Sequence, residues 1–284
     1  MIIERNKVIS KLSTMRLVAK CSLLYTPESQ EELLSLLQSR ELGAKFYFLG
    51  AGSNVIFEEN ITTPIVNLMS LNNNIKFEGG LFECGCSVRT QKFIRYAQEK
   101  GYGGVEFLFS LPASMGGVVY MNAGRGGKFK NQQIVHFLEE VTYLDCKTFE
   151  VISEGIDKTQ FAHHVSPYQQ RDCVILSCKF RLLHQSKEMT EKKIMERIDY
   201  CRRVHDTSRP NCGSAFSFGN RFVFKLFQRL GVKSGGACFS KKTSDWISNS
   251  GNATAKDVKK LLNKMIFAHK VIRAKYKIEY KFFD

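Results

Sequence analysis

Two glycine-bearing segments contain the residues whose types and spacing could do chemistry. The first, residues 48–57, reads FLGAGSNVIF and places a glycine turn between two short apolar runs of strand character. Successive backbone N–H groups in such a turn form a concavity that binds anions. No helix pattern follows and the glycine spacing is wrong, which excludes a Rossmann dinucleotide motif and a Walker P-loop. Taken alone, the segment is also typical of an ordinary tight hairpin.

The second segment covers residues 104–127 and includes the pair Gly116-Gly117 and a further glycine at Gly124. Glycine lets the backbone approach a ligand closely and adopts positive φ at little cost. Apolar residues and one amide, Asn122, lie between the glycines, whereas a flexible linker would be polar. Two segments of this kind in one chain favour structured backbone wrapped around a flat or phosphorylated ligand.

Hydrophobic periodicity predicts the elements that must position these segments. Helices are predicted within residues 22–40, over 90–100 with Gly101 as a stop, over 187–203 as a charged helix, and after Asn252 or Thr254. Strands are predicted around turns at residues 72–74, 79–80 and 145, over 173–183, and over 276–284. Residues 209–255 are expected to be rich in loops.

Composition and charge restrict the class of protein. The chain of 284 residues is long enough for two or three compact units. A net charge of +15 suits nucleic acid, anionic membrane or acidic substrates, but no nucleic-acid-binding motif accompanies it, so a lysine-rich composition explains it better. The cysteines are scattered without a CxxC pair, which favours buried thiols in a reducing compartment over disulfides or a metal site. We expect a cytoplasmic protein, because neither a signal peptide nor a membrane span is recognisable.

Six collinear motifs resemble one family of flavoenzymes, the UDP-N-acetylenolpyruvoylglucosamine reductases, also called UDP-N-acetylmuramate dehydrogenases. The motifs are FLGAGSNVIF (48–57), SLPASMGGVVYMNAG (110–124), SPYQQRDCVILSCKFRL (166–182), RPNCGSAF (209–216), GGACFS (235–240) and SGNATAKDV (250–258). The resemblance implies an α+β fold with a two-part, vanillyl-alcohol-oxidase-like FAD-binding body and a smaller α+β substrate domain. The expected divisions are FAD-binding subdomains at 1–67 and 68–186, a connecting helix at 187–205, a substrate domain at 206–275, and a C-terminal strand at 276–284 that returns to the body.

The resemblance also implies a reaction. An enolpyruvyl ether of a UDP-sugar gains a hydride, taken from NADPH through FAD, and a proton, in peptidoglycan precursor synthesis. Ser214 matches the proton donor, Glu279 the stabilising glutamate and His164 the position of a stabilising arginine, with Lys225 and Ser166 expected to bind substrate. A shift in register would place Lys281, not Glu279, at the glutamate position. The expected FAD-binding residues are Gly50, Ala51, Gly52, Ser53, Asn54, Pro112, Ala113, Ser114, Gly116, Gly117, Asn122 and Gly124.

Three departures from the family pattern keep other hypotheses open. His163-His164 replaces a usual Tyr-Arg pair, Val18-Ala19 replaces a usual Gly-Gly pair, and Ser217-Phe218 replaces a usual Lys-Asn pair. A protonated His164 could supply positive charge and a neutral one could not. The alternative is a diverged, non-catalytic or weakly active relative that keeps the flavin-binding fold as a binding or scaffold protein. A basic nucleic-acid-associated protein is a remote third hypothesis. We expect a monomer, and the sequence does not distinguish NADPH from NADH.

Overall fold

The computed structural model describes residues 1–125 and 132–284, so the last two glycines of the second segment, residues 126 and 127, lie outside the described residues. The helices are α1 (Gln30–Gln38), α2 (Thr90–Glu99), α3 (Met115–Tyr120), α4 (Lys187–Val204), α5 (Arg221–Leu230) and α6 (Ala255–Val271). The predictions of α1, α2, α4 and α6 are confirmed. The short helix α3, inside the second glycine segment, and α5, inside the supposed loop-rich region, were not predicted.

The strands are short, and their turns agree with the predicted positions. They are β1 (Ile2–Val8), β2 (Lys20–Thr26), β3 (Tyr47–Leu49), β4 (Val55–Phe57), β5 (Asn60–Ile61), β6 (Ile65–Asn67), β7 (Ile75–Glu78), β8 (Leu81–Gly85), β9 (Tyr102–Gly103), β10 (Leu138–Asp145), β11 (Val151–Gly155), β12 (Cys173–Phe180), β13 (Leu183–His184), β14 (Asn211–Ser214), β15 (Phe216–Phe218), β16 (Lys233–Ser234), β17 (Ala237–Phe239), β18 (Trp246–Asn249), β19 (Lys277–Ile278) and β20 (Lys281–Phe283).

The chain folds into two compact units, each assembled from separated stretches of sequence. The first contains residues 1–3, 25–51 and 65–199, and the second contains residues 4–24, 52–64 and 200–284. The chain therefore passes from the first unit to the second between Ala51 and Gly52, inside the first glycine segment. These units cut across the expected boundary at 67/68, because residues 4–24 and 52–64 group with the C-terminal residues. The division into two FAD-binding subdomains and a substrate domain stays a prediction.

The first unit is organised around an antiparallel sheet with the strand order β11-β10-β12-β8-β7. Phe82, Phe93 and Phe180, each fully buried, lie at the centre of its core, and the rings of Phe93 and Phe180 are 5.1 Å apart. The side chains of α2 that face this core recur at helical spacing, as the sequence pattern predicted. Strand β3 of this unit pairs in parallel with β6.

The second unit contains the sheet β14-β18-β17-β16, covered by α5 and α6. Thr254 caps α6 in a capping box with Asp257, and the predicted apolar face of α6 is buried. Two further pairings involve the C-terminal segment: β19 lies antiparallel to β15, and β20 lies parallel to β4. The last strand thereby joins the second half of the first glycine segment to the C-terminus of the chain.

Candidate functional site

The first glycine segment is not a hairpin. Its flanking strands β3 and β4 take different parallel partners, β6 and β20, so the hairpin alternative left open by the sequence is wrong. Within residues 1–125 and 132–284, the backbone N–H groups of Ala51, Gly52 and Ser53 donate to no other residue. Three successive amides without a protein acceptor are compatible with the anion-binding turn that the sequence predicts, and anion binding there stays a prediction.

The backbone conformation and the packing at position 52 require a glycine. Its φ is +67°, and a Cβ at this position would lie 1.8 Å from the carbonyl oxygen of Leu12. The neighbouring backbone is held close by two hydrogen bonds: Thr14 N donates to Gly52 O at 3.1 Å, and Ser13 Oγ donates to Val55 O at 2.6 Å. Only a glycine fits this combination of a left-handed backbone and a close approach by another segment.

The second glycine segment contains a proline, Pro112, and a helix cap at Ser114. Ser114 accepts a hydrogen bond from Gly117 N at 3.4 Å and so caps α3. A Cβ on Gly116 would lie 2.9 Å from Cys86 Cβ, and a Cβ on Gly50 would lie 3.1 Å from Ser114 Oγ. Gly50 and Ser114 are therefore neighbours, and the structure brings the beginning of the first segment against the cap of the second.

Two other residues expected to bind FAD or substrate, Asn122 and Ser166, have side chains that form hydrogen bonds within the protein. The buried Asn122 amide donates to Gln133 Oε1 at 2.9 Å and to Ala162 O at 2.8 Å, and its oxygen accepts from Val135 N. Ser166 is buried and donates to Tyr120 O at 2.7 Å. These bonds tie the loop before β12 to α3 and the residues after it. A ligand role for Asn122 and Ser166 stays a prediction.

The remaining predicted residues are more open. Lys225 is exposed on α5. Pro112 is exposed, Ala113 is largely buried, and Gly124 forms an isolated bridge with Gln133. At the Val18-Ala19 pair, which replaces a usual Gly-Gly pair, Val18 is exposed whereas Ala19 is buried. The binding roles of Lys225, Pro112, Ala113 and Gly124 stay predictions.

His163 and His164 form a contacting pair with ring centroids 4.0 Å apart. His163 is exposed and His164 is half-buried, with a backbone φ of +57°. Burial and the charge of His163 lower the pKa of His164 to about 4. At neutral pH the His164 imidazole is therefore uncharged. The sequence left open whether His164 is protonated or neutral, and the lowered pKa favours the neutral form. His164 therefore supplies no positive charge at this position.

Ser214 lies beside two acidic side chains in the second unit. Ser214 pairs in antiparallel register with Trp246, the residue after Asp245, and the Asp245 carboxylate accepts a hydrogen bond from Phe216 N at 3.4 Å. Between Ser214 and Phe216, Ala215 N donates to Asp245 O at 3.1 Å, and Ala215 O accepts from Glu279 N at 2.9 Å. The fold thus gathers Ser214, Asp245 and Glu279 around one short stretch of backbone.

Both carboxyl groups of this cluster hold protons unusually well. Burial, together with the nearby charge of Glu279, raises the pKa of Asp245 from 3.8 to about 7. Burial likewise raises the pKa of Glu279 from 4.5 to about 7. Pairs of carboxyl groups with raised pKa values are typical of sites that move protons near neutral pH.

Hydrogen bonds from the first glycine segment fix the backbone of Glu279. Asn54 Nδ2 donates to Glu279 O at 3.1 Å, and Lys281 N donates to Asn54 O at 3.0 Å. Tyr280, which is buried, donates from its hydroxyl to Gly213 O at 2.9 Å. Glu279 is partly buried next to Ser214, whereas Lys281 is exposed. Which of Glu279 and Lys281 takes the glutamate position of the family stays a prediction.

Asp245 is the member of this cluster that sequence reasoning missed. It belongs to none of the six motifs, and its surroundings, KKTSDWIS, contain no catalytic pattern. The available signal was weak: an aspartate precedes a short apolar strand, at a place where the backbone has a φ of +63°. Asp and Asn tolerate this conformation better than most residues, so a turn aspartate was the simpler interpretation.

The described parts of the chain contain no cluster of three or more His, Cys, Asp and Glu side chains suited to a metal ion. All nine cysteines are free thiols, most of them buried. None of the helices in residues 1–125 and 132–284 is long and apolar enough to cross a membrane.

Comparisons with known proteins relate this geometry to a family. A model of the FAD binding domain matches residues 21–151. The UDP-N-acetylenolpyruvoylglucosamine reductase of Borreliella burgdorferi is 28% identical over 271 residues, covering 92% of this chain and 87% of that protein. The protein of the same name from Bacillus subtilis is 27% identical, covering 96% of this chain and 90% of its own.

A solved structure shows the same fold. The crystal structure of UDP-N-acetylenolpyruvylglucosamine reductase from Thermus caldophilus superposes with a TM-score of 0.79, covering 100% of both chains at 21% sequence identity. The predicted α+β FAD-binding fold is thereby confirmed. By sequence over nine-tenths of its length and by fold, the resemblance of this chain to the UDP-N-acetylenolpyruvoylglucosamine reductases is confirmed.

Proposed function

We propose that this protein is an FAD-dependent reductase that converts UDP-N-acetylglucosamine enolpyruvate to UDP-N-acetylmuramate with NADPH as the reductant. The observation that carries the proposal is the gathering of Ser214, Asp245 and Glu279 around the backbone of Ala215, because it places two carboxyl groups near the residue that matches the family's proton donor. The similarity to relatives that bear the reductase name supports the same activity.

The residues around the glycine segments suit FAD. The open amides of Ala51, Gly52 and Ser53 are complementary to a pyrophosphate. We assign FAD binding to residues 50–54 and to the second segment between Pro112 and Gly124. Bound FAD, reduced by NADPH, supplies a hydride to one carbon of the enolpyruvyl double bond.

The residues of the chain complete the reaction at the other carbon. That carbon becomes a carbanion conjugated with the substrate carboxylate, and it is basic enough to accept the proton of the Ser214 hydroxyl. Glu279 in its protonated form donates a hydrogen bond to the developing enolate, whereas an ionised Glu279 would repel it. Because the pKa of Glu279 is about 7, the protonated form is well populated at neutral pH and disappears as the pH rises further.

The residues that would supply positive charge to the substrate differ from those of the family pattern. The uncharged His164 contributes a hydrogen bond where relatives usually have an arginine. Exposed Lys225 and its basic neighbours Arg229 and Lys241 attract the diphosphate of a UDP-sugar. Each of these cations is also explained as part of a solvated basic face.

A visible absorbance spectrum tests the proposal. The purified protein should show oxidised-flavin bands that bleach with NADPH and return when the UDP-sugar substrate is added. Ser214→Ala should abolish the return while leaving the bleaching unchanged, because the hydroxyl acts only on the substrate. Loss of both half-reactions in this variant would indicate misfolding, and bleaching without return in the parent protein would contradict the proposed substrate.

The second candidate is a relative that keeps the fold without turnover, and the replacement at His164 favours it. His164→Arg would restore the usual cation, and it should raise the rate of flavin reoxidation in an active enzyme. A protein that neither retains nor rebinds FAD would support the binding or scaffold role.

A further inference from the structure

Helix α5 exposes more apolar surface than its packing against the protein requires. Its buried side chains are Val223 and Phe227, one turn apart. Phe222, Leu226 and Leu230, also one turn apart from each other, are 71%, 40% and 64% exposed. At about 100° per residue these three positions lie next to the buried pair around the helix axis. The apolar arc of α5 therefore extends well beyond the part that the protein covers.

The rest of the exposed side of α5 is cationic. Arg221, Lys225 and Arg229 are exposed and recur at the same spacing of four residues as the apolar set. Each of them directly precedes one exposed apolar residue, so the two sets form adjacent stripes along the helix. In the parts of the chain that the structure describes, none of these three cations pairs with an acidic side chain.

The surroundings of α5 are basic as well. From residue 207 to residue 244 the sequence contains seven lysines and arginines and no aspartate or glutamate. Helix α6, which packs against α5, exposes Phe267 and Val271 together with several lysines. Asn220 N donates to His269 Nε2 at 2.9 Å, so the end of α6 lies beside the start of α5. Exposed apolar side chains and uncompensated positive charge thus occur together in this part of the second unit.

We propose that the exposed side of α5 docks on an anionic lipid surface, with its apolar stripe inserted at the boundary between headgroups and acyl chains and its cationic stripe on the lipid phosphates. Helices that combine Phe and Leu with adjacent Lys and Arg lie in that boundary. With ten residues, α5 is too short to cross a bilayer, so it would lie along the surface. This inference goes beyond the proposed function and does not depend on it.

Charge and side-chain type together select a lipid surface over the other polyanions. A nucleic acid would satisfy the cations and stack on Phe222, but it offers little to Leu226 and Leu230. A protein partner presents basic as well as acidic side chains, and residues 207–244 contain no acidic side chain to pair with them. An anionic membrane supplies negative charge throughout its surface and an apolar layer directly beneath it, which matches the two adjacent stripes.

Sedimentation with vesicles tests the proposal on the whole chain. Vesicles of phosphatidylglycerol and phosphatidylcholine in equal parts should bind the protein roughly a hundredfold more tightly than vesicles of phosphatidylcholine alone, since each of three cations contributes about fivefold near an anionic surface. Salt should weaken the binding to the anionic vesicles, because it screens these charges. Equal binding to both kinds of vesicle would overturn the proposal.

The apolar stripe is tested by replacing its two most exposed members. The double variant Phe222→Ser/Leu230→Ser should bind anionic vesicles about tenfold more weakly or worse, because it loses the apolar groups that insert. Lys225 and Arg229 stay unchanged, since they are also proposed to attract the UDP-sugar. Val151→Ser/Leu183→Ser is the matched control, because it removes side chains that are 45% and 57% exposed in the first unit, and it should bind like the parent protein.

Equal binding of the Phe222→Ser/Leu230→Ser variant and the parent protein would overturn the role of the stripe. Urea denaturation of both double variants should show folded proteins, since all four positions are exposed. Phe222→Trp reports insertion directly. Its added fluorescence should be quenched by lipids brominated on their acyl chains, whereas an unquenched signal would contradict insertion.

Two outcomes separate this inference from the alternatives. Retention on heparin without binding to either kind of vesicle would overturn it in favour of a soluble polyanion. Vesicle binding by a protein whose reduced flavin is not reoxidised by the UDP-sugar would support the docking surface and contradict the proposed function. Flavin reoxidation without vesicle binding would have the opposite meaning.

Discussion

Replacing Gly52 by alanine should destabilise the protein much more than the same change at Gly79. Both glycines are left-handed, with φ of +67° and +57°, so both substitutions place an alanine in a strained conformation. That strain costs about 1–2 kcal/mol. At Gly79 nothing lies within 4 Å of the added Cβ, and no further cost is expected. Gly79→Ala is therefore a matched control.

At Gly52 the added Cβ would lie 1.8 Å from Leu12 O, a contact that no side-chain rotation can relieve because the neighbour is backbone. The Leu12 segment would have to move by roughly 1.5 Å to reach an ordinary van der Waals distance. Such a shift breaks the Thr14 N–Gly52 O and Ser13 Oγ–Val55 O hydrogen bonds. Each bond contributes about 1 kcal/mol, so the total loss for Gly52→Ala is about 3–4 kcal/mol.

Urea denaturation measures the difference directly. The midpoint for Gly52→Ala should lie well below that for Gly79→Ala, with similar slopes against urea concentration. Fluorescence titration with FAD should also show weaker binding for Gly52→Ala, since the displaced backbone carries the open amides. Equal midpoints for the two variants would refute the argument that the approach of Leu12 requires a glycine at position 52.

Three further predictions concern the second unit. Because the pKa of Asp245 is about 7 in the folded protein and 3.8 ordinarily, the folded state holds this proton more tightly, and this group alone should lower the free energy of unfolding by roughly 4 kcal/mol from pH 4 to pH 8. In urea titrations at the two pH values, Asp245→Asn should make the fall smaller by about that amount and leave the part that comes from Glu279, whose pKa is also raised. Tyr280→Phe leaves the carbonyl of Gly213 without its donor and should cost about 1–2 kcal/mol in thermal or urea unfolding. Thr254→Ala removes the α6 cap and should cost about 1 kcal/mol by the same measurement; an unchanged midpoint would contradict the capping box.

Local signals in the sequence were sufficient for most helices. Gly101 after α2 and Thr254 before α6 stand where the structure ends or begins those helices, because caps and stops depend on neighbouring backbone groups. The same logic would have found α5. Asn220 caps its first turn by accepting from Phe222 N and Val223 N, and Gly231 ends it with a φ of +54°. The sequence analysis missed this helix because it took the glycine content of residues 209–255 as a sign of loops.

The collinear motifs, read from sequence alone, led to the family, the α+β fold and Ser214. Only the tertiary structure showed that Asn54, 225 positions away in the chain, fixes the backbone on which Glu279 lies, and the role of Glu279 stays a prediction. Only the tertiary structure brought Asp245 close to the backbone beside Ser214. Burial in the folded protein also raises the pKa of Asp245 and lowers the pKa of His164, so that His164 is neutral. Desolvation depends on which groups surround a side chain in space. The sequence determines which residues are able to exchange protons, and packing determines which of them hold a proton at neutral pH.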